Sequence, residues 1–509
     1  MNEIRVRFSG IAVFLSSVLA YIIGMAYTVY VARVLTKEEY GIYGFIGSLW
    51  SMALLFGSIV AFWAFRARAR GKKVVRTAVF GEALLSVPVS LALGFYLLTS
   101  SGLSFSCILV VVAYVIISYL VSGLNVFFRA TAPHKTSYRN LLTSLVKISV
   151  GLLLVFYLKL LGALLTLTLG VLLYGLYVLK HAWSELSGSV DLSLLKQWLS
   201  CFWIVIILNS VSVIFLNMDM YYLGFRGLFS MLGSYTVAKR IANWMTLTSS
   251  LSIGLSPALL SGKSKENVNS VLDLTMLFTV PMVVGAVVMS KDLVYVFGTK
   301  YMEASTSLKI LAASMMFFIV SAVLDGAVRA LDDVDKYELK LGPLLRSYIF
   351  KLAVLSYIGL AIELLSMFLL APTMGLNGIA LSVLVGSLVL LIIKYELTRK
   401  VVRLNLRKLA RKGSTYLICS LIMALILMIL PKGRISLVVL SVGIGCAVYF
   451  LLLYLVDGEF REMVHAGLRR EVSPVIRKVH ISRRFRIISL KSRTVSGFLG
   501  RGKLLDQNP

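Results

Sequence analysis

Stretches of about 20 largely apolar residues recur along nearly the whole chain, and each is long enough to cross the hydrocarbon core of a bilayer as a helix. Fourteen can be delimited: 9–32, 42–65, 78–100, 105–127, 141–158, 161–179, 199–223, 232–256, 268–290, 305–328, 346–370, 375–393, 414–431 and 436–456. Between the fifth and sixth only Lys159 and Leu160 remain for a turn, the tightest of the joints. The fold class that follows is an all-α polytopic membrane protein. Hydrophobic residues make up 59% of the 509 positions, more than a soluble core needs. The first apolar run is too long for a cleavable signal peptide and lacks a small-residue cleavage site.

A net charge of +29 raises the question of nucleic acid, and the placement of the charges answers it. With the N-terminus inside, 39 of the 52 Lys and Arg fall in inside segments, nine in outside loops and four within spans. That is the positive-inside bias over the whole chain, so runs such as "RARARGKK" (66–73) and "RKVVRLNLRKLARK" (399–412) set topology. Both termini are expected in the cytoplasm, in the cell membrane. Anionic membrane lipids are expected partners of the basic loops, and nucleic acid is not. The four Cys and four His show no metal-ligand spacing, and there is no P-loop pattern. No metal, cofactor or ATP site is expected.

Three short landmarks repeat at a slowly drifting offset. "YGIY" (40–43) matches "LGSY" (232–235), "SVPV" (86–89) matches "TVPM" (279–282), and "FRA" (128–130) matches "VRA" (328–330). Lys147 and Lys351 form a fourth pair. Six spans separate each pair, which preserves orientation and predicts two six-helix bundles related as parallel repeats. Residues 1–183 are expected to form the N-terminal lobe, 184–198 a cytoplasmic linker and 199–395 the C-terminal lobe. Residues 396–456 add a basic loop and helices 13 and 14, and 457–509 form a basic cytoplasmic tail.

On these residues the chain resembles a known family. "ARVLTKEEYGIYGF" (32–45), "DMYYLG" (219–224) with "GSYTVAKRI" (233–241), "VYVFGTKYMEASTSLKIL" (294–311) and "GLNGIALS" (375–382) follow one another as in the polysaccharide flippases. That family belongs to the multidrug/oligosaccharidyl-lipid/polysaccharide exporter superfamily. The resemblance covers about residues 5–400. It implies two bundles in a V around a central cavity, with helices 1, 2, 7 and 8 lining the cleft. It also implies transport of a lipid-linked oligosaccharide from the cytoplasmic to the outer leaflet.

The charged residues inside spans are the candidate site. A cation at mid-membrane costs roughly 3 kcal/mol on insertion scales, yet Lys239 and Arg240 stand together in the eighth span. Lys239, Asn243, Thr246 and Ser250 recur at helical spacing as one polar stripe. The repeat places Gly47 and Ser48 at the equivalent N-lobe positions, so the architecture itself does not demand cations there. Lys239, Arg240 and Asn243 are therefore read as a cavity wall that meets a phosphate-rich ligand, against snorkelling to the interface. Asp219, at a depth similar to Arg240, is read as the ion-pair partner of one cation across the hairpin of helices 7 and 8, leaving the other for ligand; a proton or Na⁺ site is the alternative. Lys147 and Lys351 are either interfacial anchors or cations at the inward mouth. Arg33 and Glu38–Glu39 are read as structural in the first outside turn, and Glu82, Asp273 and Asp325 as interfacial salt bridges.

Three functions remain in view. The first is a flippase for a polyprenyl-(pyro)phosphate-linked oligosaccharide, working by alternating access without ATP, not an enzyme, as a monomer, with glycosyltransferases or a polymerase of the same pathway as further partners. The second is a cation-coupled multidrug exporter of the same superfamily, which would want acidic groups in its cavity. The third is a polytopic glycosyltransferase or ligase using a lipid-linked donor, for which the outside pair Glu38–Glu39 would have to serve. The charge asymmetry yields a first test: a cysteine placed in the 66–73 loop resists an impermeant thiol reagent added to intact cells, whereas one beside Lys432 reacts. The reverse pattern would invert the topology.

Overall fold

The computed structural model describes residues 22–465, apart from 101, 133–134, 137, 188, 201, 253–266, 332–346, 403, 432 and 463. The start of the first expected span, the inner end of the eighth, Cys201 and the expected tail beyond His465 lie outside the described residues. What is described is helical almost throughout, with no strand. The order opens with α1 (Ile22–Val34), α2 (Lys37–Ala69), α3 (Val75–Ser100) and α4 (Phe105–Thr131). Then come α5 (Tyr138–Val146), a π-helical turn (Lys147–Gly151) and α6 (Leu152–Ala182). A short linker helix, α7 (Leu192–Ser200), leads to α8 (Phe202–Phe215), α9 (Met218–Phe225) and α10 (Phe229–Asn243), which continues as a 3₁₀ segment (Trp244–Ser252). The rest is α11 (Asn267–Val288), α12 (Ser290–Phe297), α13 (Ser305–Leu331), α14 (Tyr348–Met374), α15 (Leu376–Thr398), α16 (Leu406–Ile429) and α17 (Ile435–Val456).

Ten helices or helical runs among the described residues are long and apolar enough to cross a membrane, or eleven if the bent pair Leu192–Ser200 and Val205–Phe215 is one span. The three expected spans that fall short have local reasons. The first is described only from Ile22. The seventh breaks at Leu216–Asn217, between α8 and α9. The eighth leaves α geometry at Trp244. Conversely, the 50-residue run Tyr138–Ser187 holds two of the expected spans, because it doubles back at Lys159.

That reversal is built the same way in both bundles. Lys159 has φ 47°, ψ −119°, and Gly375, between α14 and α15, has φ 57°, ψ −130°. Three residues later each hairpin has a glycine. A Cβ on Gly162 would lie 1.9 Å from the Leu154 carbonyl oxygen, and one on Gly378 2.2 Å from that of Leu370. Only glycine allows arms that close, and only glycine adopts the turn conformation without strain. The two arms of the Lys159 hairpin then pack on each other: Gly151 meets Thr166 and Gly170 meets Thr143. Pro88 in α3 and Pro281 in α11 sit at corresponding places inside their helices.

The bundles meet where α2 crosses α10. A Cβ on Gly41 would lie 2.0 Å from the Phe229 carbonyl oxygen, and one on Gly233 2.0 Å from that of Lys37. Each glycine thus faces the carbonyl four residues before the other. These are the glycines of the repeated "YGIY" and "LGSY", so the seam sits on the pseudo-twofold relation of the repeat. Thr36 starts α2 with a capping box closed by Glu39, which satisfies the exposed amides of its first turn. Of the expected interfacial salt bridges, Asp273 pairs with Lys412 at 2.7 Å and Asp325 with Lys394 at 3.9 Å. Glu82 departs from that expectation. It lies fully buried against Gly57 with no ion pair among the described residues, because α3 begins at Val75 and carries it about two turns inward. The described chain divides into two compact units, one ending at Gly445 and one beginning at Cys446; the seam lies wholly in the first. Lys159 occupies a conformation that its counterpart meets with glycine, so Lys159→Gly should stabilise the protein by about 1 kcal/mol, and Gly375→Ala should destabilise it by about 1–3 kcal/mol. Melting of the purified protein in detergent checks both signs.

Candidate functional site

The adjacent cations of α10 point in different directions, as residues about 100° apart on a helix must. Lys239 is buried, at 8% exposure, and its ammonium pairs with the Asp219 carboxylate, itself 1% exposed. Asp219 Oδ1 also accepts the Met220 N–H at 2.8 Å, and Oδ2 accepts the Tyr235 hydroxyl at 2.8 Å. Three donors thus converge on one carboxylate. The break before α9 makes this possible, since it sets Asp219 in the first turn of a short helix running beside α10. Glu363 of α14, also fully buried, packs on Gly386 within electrostatic reach of both Asp219 and Lys239. Neither of its oxygens has a hydrogen-bond partner among the described residues.

Arg240 turns the other way and is exposed. Its guanidinium crosses to the opposite bundle, where a Cβ on Gly47 would lie 3.8 Å from a terminal nitrogen. There it lines a cavity of ≈ 490 Å³ together with Arg139, Lys147, Asn140, Asn243 and Thr28. No carboxylate lines this cavity among the described residues. Lys147 lies against Gly24 of α1, 3.8 Å from where a Cβ would stand, and 5.7 Å from the centre of the Tyr27 ring. Arg240 is the charge whose field Lys147 feels. Tyr114 forms another part of the wall and is fixed by stacking on Trp50 at 3.9 Å. Both cation-bearing walls leave α geometry at the cavity. The π turn begins at Lys147, and the 3₁₀ segment begins at Trp244, which also lines it. Non-α turns of this kind are commonest at functional sites and hinges.

The structure therefore brings together Arg240, Asn243 and Lys147 of the residues singled out from sequence. It places Lys239 elsewhere, in the ion pair, so the lysine and not the arginine is the partner of Asp219. Of the stripe, Asn243 reaches the cavity, Thr246 bonds back to the Asn243 carbonyl at 2.6 Å, and the side chain of Ser250 lies outside what is described. Lys351 is exposed, 5.5 Å from the Tyr348 ring, and does not line the cavity. Its depth explains this. Lys351 is in the first turn of α14, whereas Lys147 follows nine residues of α5, about 13 Å along the axis. Arg139 was not among the sequence candidates, because it falls in the loop before the fifth span. The signal lay in Arg139, Thr143 and Lys147 at i, i+4 and i+8.

Two helical bundles thus meet at a glycine seam, with a cationic cavity between them. Residues 8–260 match the model of a family described as polysaccharide biosynthesis protein. Among solved structures, the lipid II flippase MurJ in an inward closed conformation is similar at TM-score 0.66 and 15% identity, covering 89% of this chain and all of that one. The eukaryotic transporter AtDTX14 of the multidrug MATE family is similar at 0.54 and 16% identity, covering 80% and 96%. The Vibrio cholerae MATE transporter VcmN in its bent form is similar at 0.51 and 12% identity, covering 80% and 97%. No curated protein sequence matches. The family match thus covers residues 8–260, and the fold is one shared with MurJ and the MATE transporters.

The buried pair predicts an asymmetric pattern of damage. Asp219→Leu leaves an ammonium without its partner and should cost about 3–5 kcal/mol. Asp219→Leu combined with Lys239→Met removes both charges and should restore most of that loss. Melting of the two variants in detergent reads the difference.

Proposed function

We propose that the protein is a flippase for a lipid-linked oligosaccharide, moving it from the cytoplasmic to the outer leaflet for assembly of a surface polysaccharide. The observation that carries this reading is the cavity lined by Arg139, Lys147 and Arg240 without a carboxylate. Such a cavity suits a phosphate or diphosphate. Charge-assisted contacts from planar guanidinium groups match phosphate oxygens in pairs, and an ammonium adds a point charge. The uncharged Asn140, Asn243 and Thr28 suit sugar hydroxyls. The polyprenyl tail stays in lipid. With the basic loops inside, residues 33–39 lie at the outer face and the seam closes the cavity from that side. An anion leaving a negative interior gains roughly 2.3 kcal/mol per charge per 100 mV, enough to bias transport without ATP. A lipid II flippase shares the fold, which supports a lipid-linked substrate here. The glycosyltransferases and polymerase that make and consume the oligosaccharide are the natural partners.

The multidrug exporter reading is favoured by the MATE neighbours, but organic cations would meet only positive charge in this cavity. The glycosyltransferase reading loses its outside acidic pair, since Glu39 is occupied in the capping box of α2. Outer-leaflet glycan in a strain lacking the protein, complemented at matched expression, is the test. Arg139→Gln, Lys147→Gln and Arg240→Gln each remove one charge-assisted contact, worth about 1.5–3 kcal/mol, and should each weaken substrate binding by about 10- to 100-fold. The triple variant should deliver no glycan. The Asp219→Leu, Lys239→Met protein keeps the three cavity cations but loses the pair that aims Arg240, and should deliver less glycan than the parent and more than the triple variant. Full delivery by the triple variant would refute the reading.

A further inference from the structure

Two features of the cationic cavity are not accounted for by phosphate. The first is an orphaned acceptor. Asn243 lines the cavity, and its side-chain oxygen is buried without a hydrogen-bond partner among the described residues. An ionised diphosphate offers oxygens that accept, so it leaves a carboxamide oxygen unmet, and an unmet buried acceptor costs its full desolvation. The group that satisfies it must donate, as a hydroxyl or an amide N–H does. The second feature is a pair of aromatic rings in the wall, Tyr114 of α4 and Trp244 at the end of α10, one from each bundle. Tyr114 stacks on the buried Trp50 at 3.9 Å, and Trp50 Nε1 donates to the Val111 carbonyl at 3.3 Å, tying the stack back to α4. The Trp244 ring centre lies 6.0 Å from that of Phe297. Both rings are packed from behind and only half-buried. The order of residues places these features together. Where α2 and α10 run side by side, Gly44 meets Thr236 and Gly47 meets Arg240. One turn further along α2 is Trp50, which carries Tyr114, and one turn further along α10 are Asn243 and Trp244. The orphaned acceptor and the rings thus occupy the level next to the Arg240 guanidinium, about 5 Å on along the helix axes.

We propose that this level is a subsite for the sugar joined to the diphosphate, a gluco-configured pyranose whose C–H face stacks on Tyr114 and Trp244 and whose edge donates to Asn243. The inference rests on the lipid-linked substrate reading above and names the chemistry of the group next to the phosphates. A pyranose with equatorial substituents presents only axial C–H groups on its faces. These carry a slight positive charge and meet the negative face of an aromatic ring. Its hydroxyl and acetamido donors point outward from the rim, where an acceptor at the side of the stack reaches them. A cavity of ≈ 490 Å³ lies in the range that holds a drug-sized ligand, which a diphosphate with one sugar attached resembles in size.

The test measures binding to the purified full chain in detergent by calorimetry, with two probes: farnesyl diphosphate, and farnesyl diphosphate carrying N-acetylglucosamine. The quantity read is the ratio of their Kd values. In the parent the sugar should tighten binding by about tenfold, the sum of one hydrogen bond and the stacking contacts. Asn243→Leu removes the acceptor at nearly constant volume and should bring the ratio down to about threefold. Tyr114→Leu and Trp244→Leu should lower it similarly, whereas Tyr114→Phe and Trp244→Phe, which keep a ring, should hold it near the parent value. Arg240→Gln should weaken both probes together and leave the ratio in place. A parent that binds both probes equally would overturn the sugar subsite while leaving the phosphate reading intact. So would an unchanged ratio in the three Leu variants. If an aromatic variant binds neither probe, the Asn243→Leu ratio decides alone. A parent that does not bind bare farnesyl diphosphate would defeat the phosphate reading, and the subsite with it.

Discussion

A charge placed in the hydrocarbon of a bilayer can persist in two ways: against a partner of opposite sign, or facing water. Lys239 and Arg240 use one each. The Asp219 carboxylate takes the ammonium, the Tyr235 hydroxyl and the Met220 amide together, and this fixes the rotation of α10 about its own axis. Once Lys239 is held against α9, the residue after it is turned about 100° away, into the cationic cavity. The cationic cavity thus depends on the ion pair behind it. The pair carries no ligand, yet it aims the arginine that lines the cavity.

The two bundles share their construction wherever the backbone does the work, and differ where charge does. Reversals at Lys159 and Gly375, helix contacts at Gly162 and Gly378, and the reciprocal seam of Gly41 and Gly233 are pairs of the same device. Gly47 and Ser48 against Lys239 and Arg240 are not, nor is Lys147 against Lys351. Symmetry serves the fold, because two like bundles pack on one another through like surfaces. A binding cavity has no need of it, and the charges break it.

Much of this was legible in the sequence because it is periodic or steric. Apolar length marks spans, and a glycine recurring at a fixed offset marks a close approach repeated in each lobe. The hairpin at Lys159 follows from a hydrophobic run far too long for one crossing. Pairings of side chains were less legible, since they depend on rotations that local breaks impose. The interruption at Leu216–Asn217 decides that Asp219 meets Lys239 and not Arg240. The π turn at Lys147 comes where Arg139, seemingly a loop residue, and Lys147 reach the same wall. Glu82 looked interfacial because a basic loop precedes it, but the helix it sits on starts early enough to bury it.

The origin of the cavity's charges has a consequence for the transport cycle of a flippase. Arg139 and Lys147 belong to the first bundle and Arg240 to the second, and Lys147 and Arg240 feel each other across the cleft. Without an anion their repulsion resists approach of the bundles at this end. With a diphosphate between them, each bundle is drawn to the same group. The ligand then interacts differently with the two arrangements, which is the condition for any ligand to shift a conformational equilibrium. The seam and the cavity are linked through rigid helices, since α2 and α10 each run from one to the other.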